Sequence, residues 1–161
     1  MARINRDPEV TRYLGAPAGV AASTPAFLAG AAAHWDEYGF GFWAVESIAP
    51  EDEGAFLGFI GMAHPTFLEP LAARVELGWR LARRAWGRGL ATEGATAARD
   101  HAFAAVGIDE LISIIHPENR RSQRVAEKLG MRIETLIRHP GLGRDVEVWQ
   151  LSGTDRSARL D

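Results

Sequence analysis

The chain contains no cysteine. Disulfides, thiolate metal sites and a cysteine nucleophile are excluded, and a reducing, cytoplasmic setting is expected. Lysine is almost missing as well: arginine supplies all but one of the 18 basic residues. Tyrosine occurs only as Tyr13 and Tyr38. No apolar run approaches the ~18 residues of a bilayer-spanning helix. The opening MARINRDPEV has no apolar signal-peptide core. Membrane association is not expected. The formal net charge of −3 is the wrong sign for a nucleic-acid binder. The histidines lack metal-ligand spacing, so no metal is expected either.

What the chain does have is enough apolar material for a core. Of its 161 residues 47% are hydrophobic, which suits one domain. We read residues 1–151 as that domain and 152–161 as a polar, disordered tail. Asp7-Pro8 predicts a helix start, a cap followed by proline at the first helical position, with the helix reaching Tyr13 and stopping near Gly15. Residues 16–22 read as a loop. Thr24-Pro25 is a second such start, for a helix to Tyr38. Strands are expected over 41–46 and 56–62, forming a hairpin, and over 74–81. In the last, Val75, Leu77 and Trp79 face opposite to Glu76, Gly78 and Arg80. A helix is expected over 90–106, with a face of small residues (Ala91, Gly94, Ala95, Ala98 and Ala102) suited to close packing on a sheet. A strand over 111–115, a helix over 122–129 closed by Gly130, and a hairpin of 132–138 with 146–151 complete the order. The pattern is α+β with a mixed sheet.

Between the third strand and the long helix lies Arg83-Arg84-Ala85-Trp86-Gly87-Arg88-Gly89. Alternate glycines let the backbone turn so that successive N–H groups point one way, a concavity that suits an anion. The helix behind it adds free N–H groups and the positive end of its dipole. The three arginines add charge. A dinucleotide-binding fingerprint would need Gly or Ala where Thr92 stands, and would sit in an opening βαβ unit. A nucleoside-triphosphate loop would need Gly-Lys, which does not occur. On this segment alone, an ordinary glycine turn with solvated arginines stays open.

Other segments narrow the choice. Arg84-x-x-Gly87-x-Gly89 resembles the acetyl-CoA motif Q/R-x-x-G-x-G/A of the GNAT superfamily of N-acetyltransferases. The run Val75 to Leu81 followed by Trp86 to Glu93 is similar to the branch that holds the ribosomal-protein N-terminal acetyltransferases. So are Asp7-Pro8-Glu9-Val10, Arg12-Tyr13-Leu14-Gly15, Phe59-Ile60-Gly61, Asn119-x-x-Ser122 and Glu127-Lys128-Leu129-Gly130-Met131. Each is weak alone; together they follow the family's order over residues 4–151.

The resemblance implies a GNAT fold, a mixed sheet flanked by helices in which strands 74–81 and 111–115 splay apart. It implies acetyl-CoA as acyl donor, lying in the gap. Backbone groups of Gly78, Trp79, Arg80 and Leu81 would meet the pantetheine. Arg84, Trp86, Gly87, Arg88, Gly89, Leu90 and Ala91 would meet the pyrophosphate, and Asn119 and Ser122 the thiol end. A primary amine would attack the thioester directly in a ternary complex. Glu76 is the expected base, unless it pairs with Arg74 or Arg80 or orders a loop; Glu93, on the helix after the glycine turn, is the alternative carboxylate. Many family members use a tyrosine acid where this chain has Ser122. Ser122 is therefore expected to donate a hydrogen bond to the sulfur, or to cap its helix.

The acceptor would be a protein N-terminus or a small-molecule amine. An α-amine titrates near ~8 and a lysine amine near ~10.4, a handicap of about 3 kcal/mol for the latter. A non-catalytic acyl-CoA-binding module of the same fold is the rival. His64 follows a strand and could line the acceptor cleft. His116 follows the second splayed strand and could sit close to the thioester. Tyr13 and Trp35 lie where family members wall the acceptor pocket. The strand with which family members usually open is not found before Asp7. Either the protein is longer or the sheet lacks an edge strand, and an exposed edge would favour the expected homodimer.

Overall fold

The structure is a computed structural model that describes residues 1–14 and 23–154. The expected loop over 16–22, the stop at Gly15 and the tail beyond Thr154 lie outside the described residues.

Two short helical turns come first, α1 (Ala2–Asn5) and α2 (Pro8–Thr11). The Asp7 carboxylate accepts from the Glu9 N–H, so the cap-plus-proline start of α2 is formed as read. The helix closes at Thr11, two residues short of Tyr13. α1, with no side-chain cap, gave no local signal. Helix α3 spans Thr24–Tyr38, but Ser23 and not Thr24 is its N-cap. The Thr24 hydroxyl is engaged elsewhere, accepting from Asn5 Nδ2 at 2.8 Å.

Strands β1 (Phe42–Glu46), β2 (Phe56–Ala63) and β3 (Glu76–Leu81) form an antiparallel meander. Helix α4 (Leu90–His101) runs on through a π-helical turn, Ala102–Val106. Then follow β4 (Glu110–Ile115), α5 (Arg120–Leu129), β5 (Arg132–His139) and β6 (Arg144–Ser152). The sheet order is β1-β2-β3-β4-β6-β5, and only β3 and β4 run parallel. This is the α+β arrangement read from the sequence. Among the described residues no strand precedes α1, and β1 forms one sheet edge.

Alternation along β2 and β3 decides which face is buried under what. Ile60, Met62, Leu77 and Leu81 join Ala95, Ala98 and Ala102 of the α4 segment in the main core. Gly94 lets the helix approach so closely that an added Cβ would lie 2.5 Å from Ile60 Cδ1. The small-residue face thus does what its composition suggested. On the opposite face, Phe27 of α3 packs on Phe42 and Phe59, with ring centroids 5.8 and 4.9 Å apart. A second cluster of Leu68, Leu71, Ile112 and Val148 seats the β2–β3 connection.

α5 begins two residues before Ser122. Asn119 is its N-cap, its side chain accepting from the Ser122 N–H at 3.2 Å. Capping by Ser122 is therefore corrected: Asn119 stands nearer the Pro117 break and takes that role first. No described helix is long and apolar enough to cross a membrane.

Candidate active site

β3 and β4 are paired at a single register position, Glu76 opposite Ile112, with the Ile112 N–H donating to the Val75 carbonyl at 2.9 Å. One residue further, the Ser113 hydroxyl donates to the Leu77 carbonyl at 2.6 Å, a side-chain bond where a ladder bond would otherwise continue. Beyond it the strands separate. Arg74 ties the closed end: its guanidinium binds Glu110 and Glu134 at 2.7 Å each. The edge of β3 from Gly78 to Leu81 is left facing a cleft of about 1220 Å³. Such an edge offers backbone donors and acceptors to an extended ligand.

At the wide end β3 leads into a 3₁₀ turn, Arg83–Ala85, and then the glycines. Gly87 and Gly89 have φ of +74° and +82°, a left-handed turn that side-chain-bearing residues rarely adopt. Gly89 is the N-cap of α4 and makes no side-chain cap bond, so the first-turn N–H groups face the cleft mouth uncapped by a side chain. Trp86 pins this turn from both sides. Its indole N–H donates to the Leu81 carbonyl at 2.9 Å, and the Arg121 guanidinium lies 4.4 Å over its ring.

Glu76 stands at the apex of the splay. Its side chain is half-buried and lines the cleft floor. Burial pushes its carboxyl up to about 7, opposed by a hydrogen bond from the Ile114 N–H and by the positive charge of Arg80. It forms no ion pair with Arg74, which is held by its two glutamates. Nor does Arg80 reach it within ion-pair distance; Arg80 Nη1 donates instead to Asn5 Oδ1 at 3.0 Å. A carboxyl that titrates near neutrality at the base of an open cleft is equipped to accept a proton at physiological pH.

Most residues expected at the site line this one cleft: Glu76, Gly78 to Leu81, Trp86, Gly87, Gly89, Leu90, Ala91, Asn119 and Ser122. Arg84 and Arg88 do not. Both are exposed, and Arg84 turns toward the β1–β2 connection, 3.8 Å from Asp52. Trp35 is also off the cleft, its indole donating to the Phe42 carbonyl at 3.0 Å. The Asn119 carboxamide oxygen is occupied as a cap, whereas the Ser122 hydroxyl makes no hydrogen bond among the described residues. His64 lines the cleft with Nδ1 2.9 Å from the Arg74 carbonyl.

Two contacts had no local signal. Tyr13 stacks on His116 at 4.9 Å, which brings the phenol of an N-terminal turn to the end of β4. Arg121 precedes Ser122 on α5, yet only the fold places it over Trp86.

Residues 1–132 match the family model described as an acetyltransferase (GNAT) domain. The chain belongs to the GNAT acetyltransferase family. This GNAT domain is 38% identical over 101 residues to protein YkkB of Bacillus subtilis, covering 63% of the chain and 56% of that protein. The chain spans about half the length of the curated relatives it matches. Its fold superimposes on an acetyltransferase from Agrobacterium tumefaciens with a TM-score of 0.75 at 26% identity, covering 93% of this chain and 81% of that one. It also superimposes on the yncA protein of Salmonella typhimurium, solved with its cofactor acetyl-CoA, with a TM-score of 0.64. At 20% identity, covering 80% of the GNAT domain and 73% of that chain, the second likeness speaks for the fold alone.

Proposed function

We propose that this domain moves an acetyl group from acetyl-CoA to a primary amine, with Glu76 as the base. The observation that carries the reading is the position of Glu76. It sits where β3 and β4 part, in the same cleft as the glycine turn. The exposed edge of Gly78 to Leu81 would pair with the pantetheine amides. The N–H groups from Trp86 to Ala91 would hold the pyrophosphate, with Arg121, over the Trp86 ring, as a cleft-lining guanidinium in place of Arg84. The family likeness and the fold shared with a protein solved with acetyl-CoA support this donor.

In the reaction the amine lone pair attacks the thioester carbon and the amine proton passes to Glu76, directly or through a water. The C–S bond then breaks and the thiolate departs. Its own pKa near ~8.5 means it leaves with little help. Ser122, whose hydroxyl is unengaged, donates a hydrogen bond to it. The acceptor carries a free primary amine, as the N-terminal amine does in the ribosomal-protein branch that several of this chain's motifs resemble.

The test is thiol release from acetyl-CoA with a panel of amines, wild type against Glu76→Gln. The expected outcome is a fall in kcat of about 100-fold or more, with acetyl-CoA affinity kept. Wild-type kcat/KM should rise with pH through about 7, because Glu76 must lose its proton to serve. That limb should stay in place when acceptors of different amine pKa are compared, and should be absent from the variant. Unchanged kcat would remove Glu76 from the mechanism. Binding without release on every acceptor would leave an acyl-CoA-binding module.

A further inference from the structure

Among the charged side chains of the cleft that the transfer chemistry leaves unused, Arg80 is the one on β3, packed against aromatic rings. It follows Glu76 by four residues on the same face of β3, opposite Phe59 of β2 in register. Its guanidinium lies 5.4 Å over the Phe59 ring and 5.9 Å over the Phe27 ring, and one nitrogen donates to Asn5. The aromatic faces and the neutral carboxamide take up part of one guanidinium that has five N–H groups to give. Among the described residues no carboxylate lies within ion-pair distance of it. Packing against the two rings strips water from this cation, and burial lowers its pKa to about 10, opposed by the charge of Glu76. Glu76 offsets this charge only from beyond ion-pair distance, and a desolvated cation with no closer partner is costly in a fold unless something brings an anion.

The direction of the side chain says which ligand brings it. Trp79, in register with Ile60, faces the side on which α4 packs, and the glycine turn begins α4. Arg80 faces the other side, beneath α1 and α3. The donor's phosphates belong to the turn, so the anion near Arg80 belongs to the acceptor.

We propose that the amine acceptor carries a carboxylate and that Arg80 binds it. This rests on the acetyl transfer proposed above and names its substrate class: an amino acid or short acidic peptide with a free primary amine. Four residues of strand separate Glu76 from Arg80 by ~13 Å between Cα atoms. Both residues line the cleft on the same face of β3, which sets the amine at one end and the carboxylate at the other. A polyamine would present a second cation to Arg80 and be disfavoured. Glu9, Glu37 and Glu118 also line the cleft, but all three are exposed, where water screens them more than it screens Arg80.

The test compares α- and ω-amino acids and acidic dipeptides with their carboxamides, and with spermidine, by thiol release. Wild type should favour each carboxylate over its carboxamide by about ten- to a hundred-fold in kcat/KM. Arg80→Gln should bring that ratio toward one, whatever its absolute rate, and Arg80→Lys should keep part of it. Calorimetry with N-acetylated amino acids, which have the carboxylate but no reactive amine, reads the anion seat without turnover. They should bind the wild type more tightly than their amides do. Should no amine release thiol, the transfer reading fails while this binding difference still reports on Arg80. Equal rates, or equal binding of acid and amide, would overturn the proposal. So would an Arg80→Gln protein that loses acetyl-CoA affinity with the ratio unchanged, since Arg80 would then serve the donor's phosphates.

Discussion

Glu76 is held at a cost to stability. Its carboxyl titrates at about 7 in the fold and at 4.5 without it. Below about pH 4.5 it is protonated in both states. Between 4.5 and 7 the native state keeps a proton that the unfolded chain has lost, so stability falls as pH rises. Above 7 both states are ionised and the full cost remains. Since the side chain keeps some exposure to the cleft, this cost is about 1–3 kcal/mol. Glu76→Gln removes it, and the Gln carbonyl can still accept from the Ile114 N–H. The variant should therefore be more stable than wild type by that amount at pH 8, and the gain should vanish near pH 4.5. Urea unfolding at the two pH values checks this. The position of Glu76 on its strand face was legible because strand alternation is local. Its freedom from ion pairing was not, because that depends on Glu110 and Glu134, distant in sequence, capturing Arg74. Tyr13 on His116 and Arg80 on Asn5 were hidden for the same reason.

Among the elements, β3 depends most on its neighbour. Gly58 of β2 lies opposite Leu81, with φ of +142°, and an added Cβ would fall 2.1 Å from the Arg80 carbonyl oxygen. That atom is backbone and cannot swing aside. Gly58→Ala should cost about 2–4 kcal/mol and disturb the cleft edge of β3 with it. Gly94→Ala should cost far less: its obstacle is the tip of the Ile60 side chain, and alanine favours a helix over glycine by about 1 kcal/mol. Thermal melts of the two variants give the comparison. Most elements could be read from the chain because caps, prolines and alternation act over a few residues. The errors fell where two neighbours could serve one purpose. Ser23 and Thr24 both suit a helix start, as do Asn119 and Ser122, and packing chose between them.

For the whole molecule, the expected homodimer would add a second copy along β1. That edge is not bare. The Gly41 carbonyl bonds inward to the Met62 N–H, so the next carbonyl, Phe42, points outward, and the Trp35 indole holds it. An occupied edge acceptor is one less for another strand to use. Trp35→Ala should uncover it and make the mass in solution rise more steeply with concentration than for wild type. Sedimentation across a wide concentration range reads this directly. A mass that stays flat in both proteins would show that β1 is not a pairing edge.

The single register position between β3 and β4 has a mechanical meaning. β1-β2-β3 and β4-β6-β5 are two panels joined by a short seam, clamped at one end by Arg74 and open at the other. One panel holds Glu76 and Arg80; the other leads to His116 and Ser122. Whatever fills the opening would stitch the panels together as a strand does, and its departure would unpick them. A donor bound there would be reagent and seam at once, so that the sheet would tighten and slacken with every turnover.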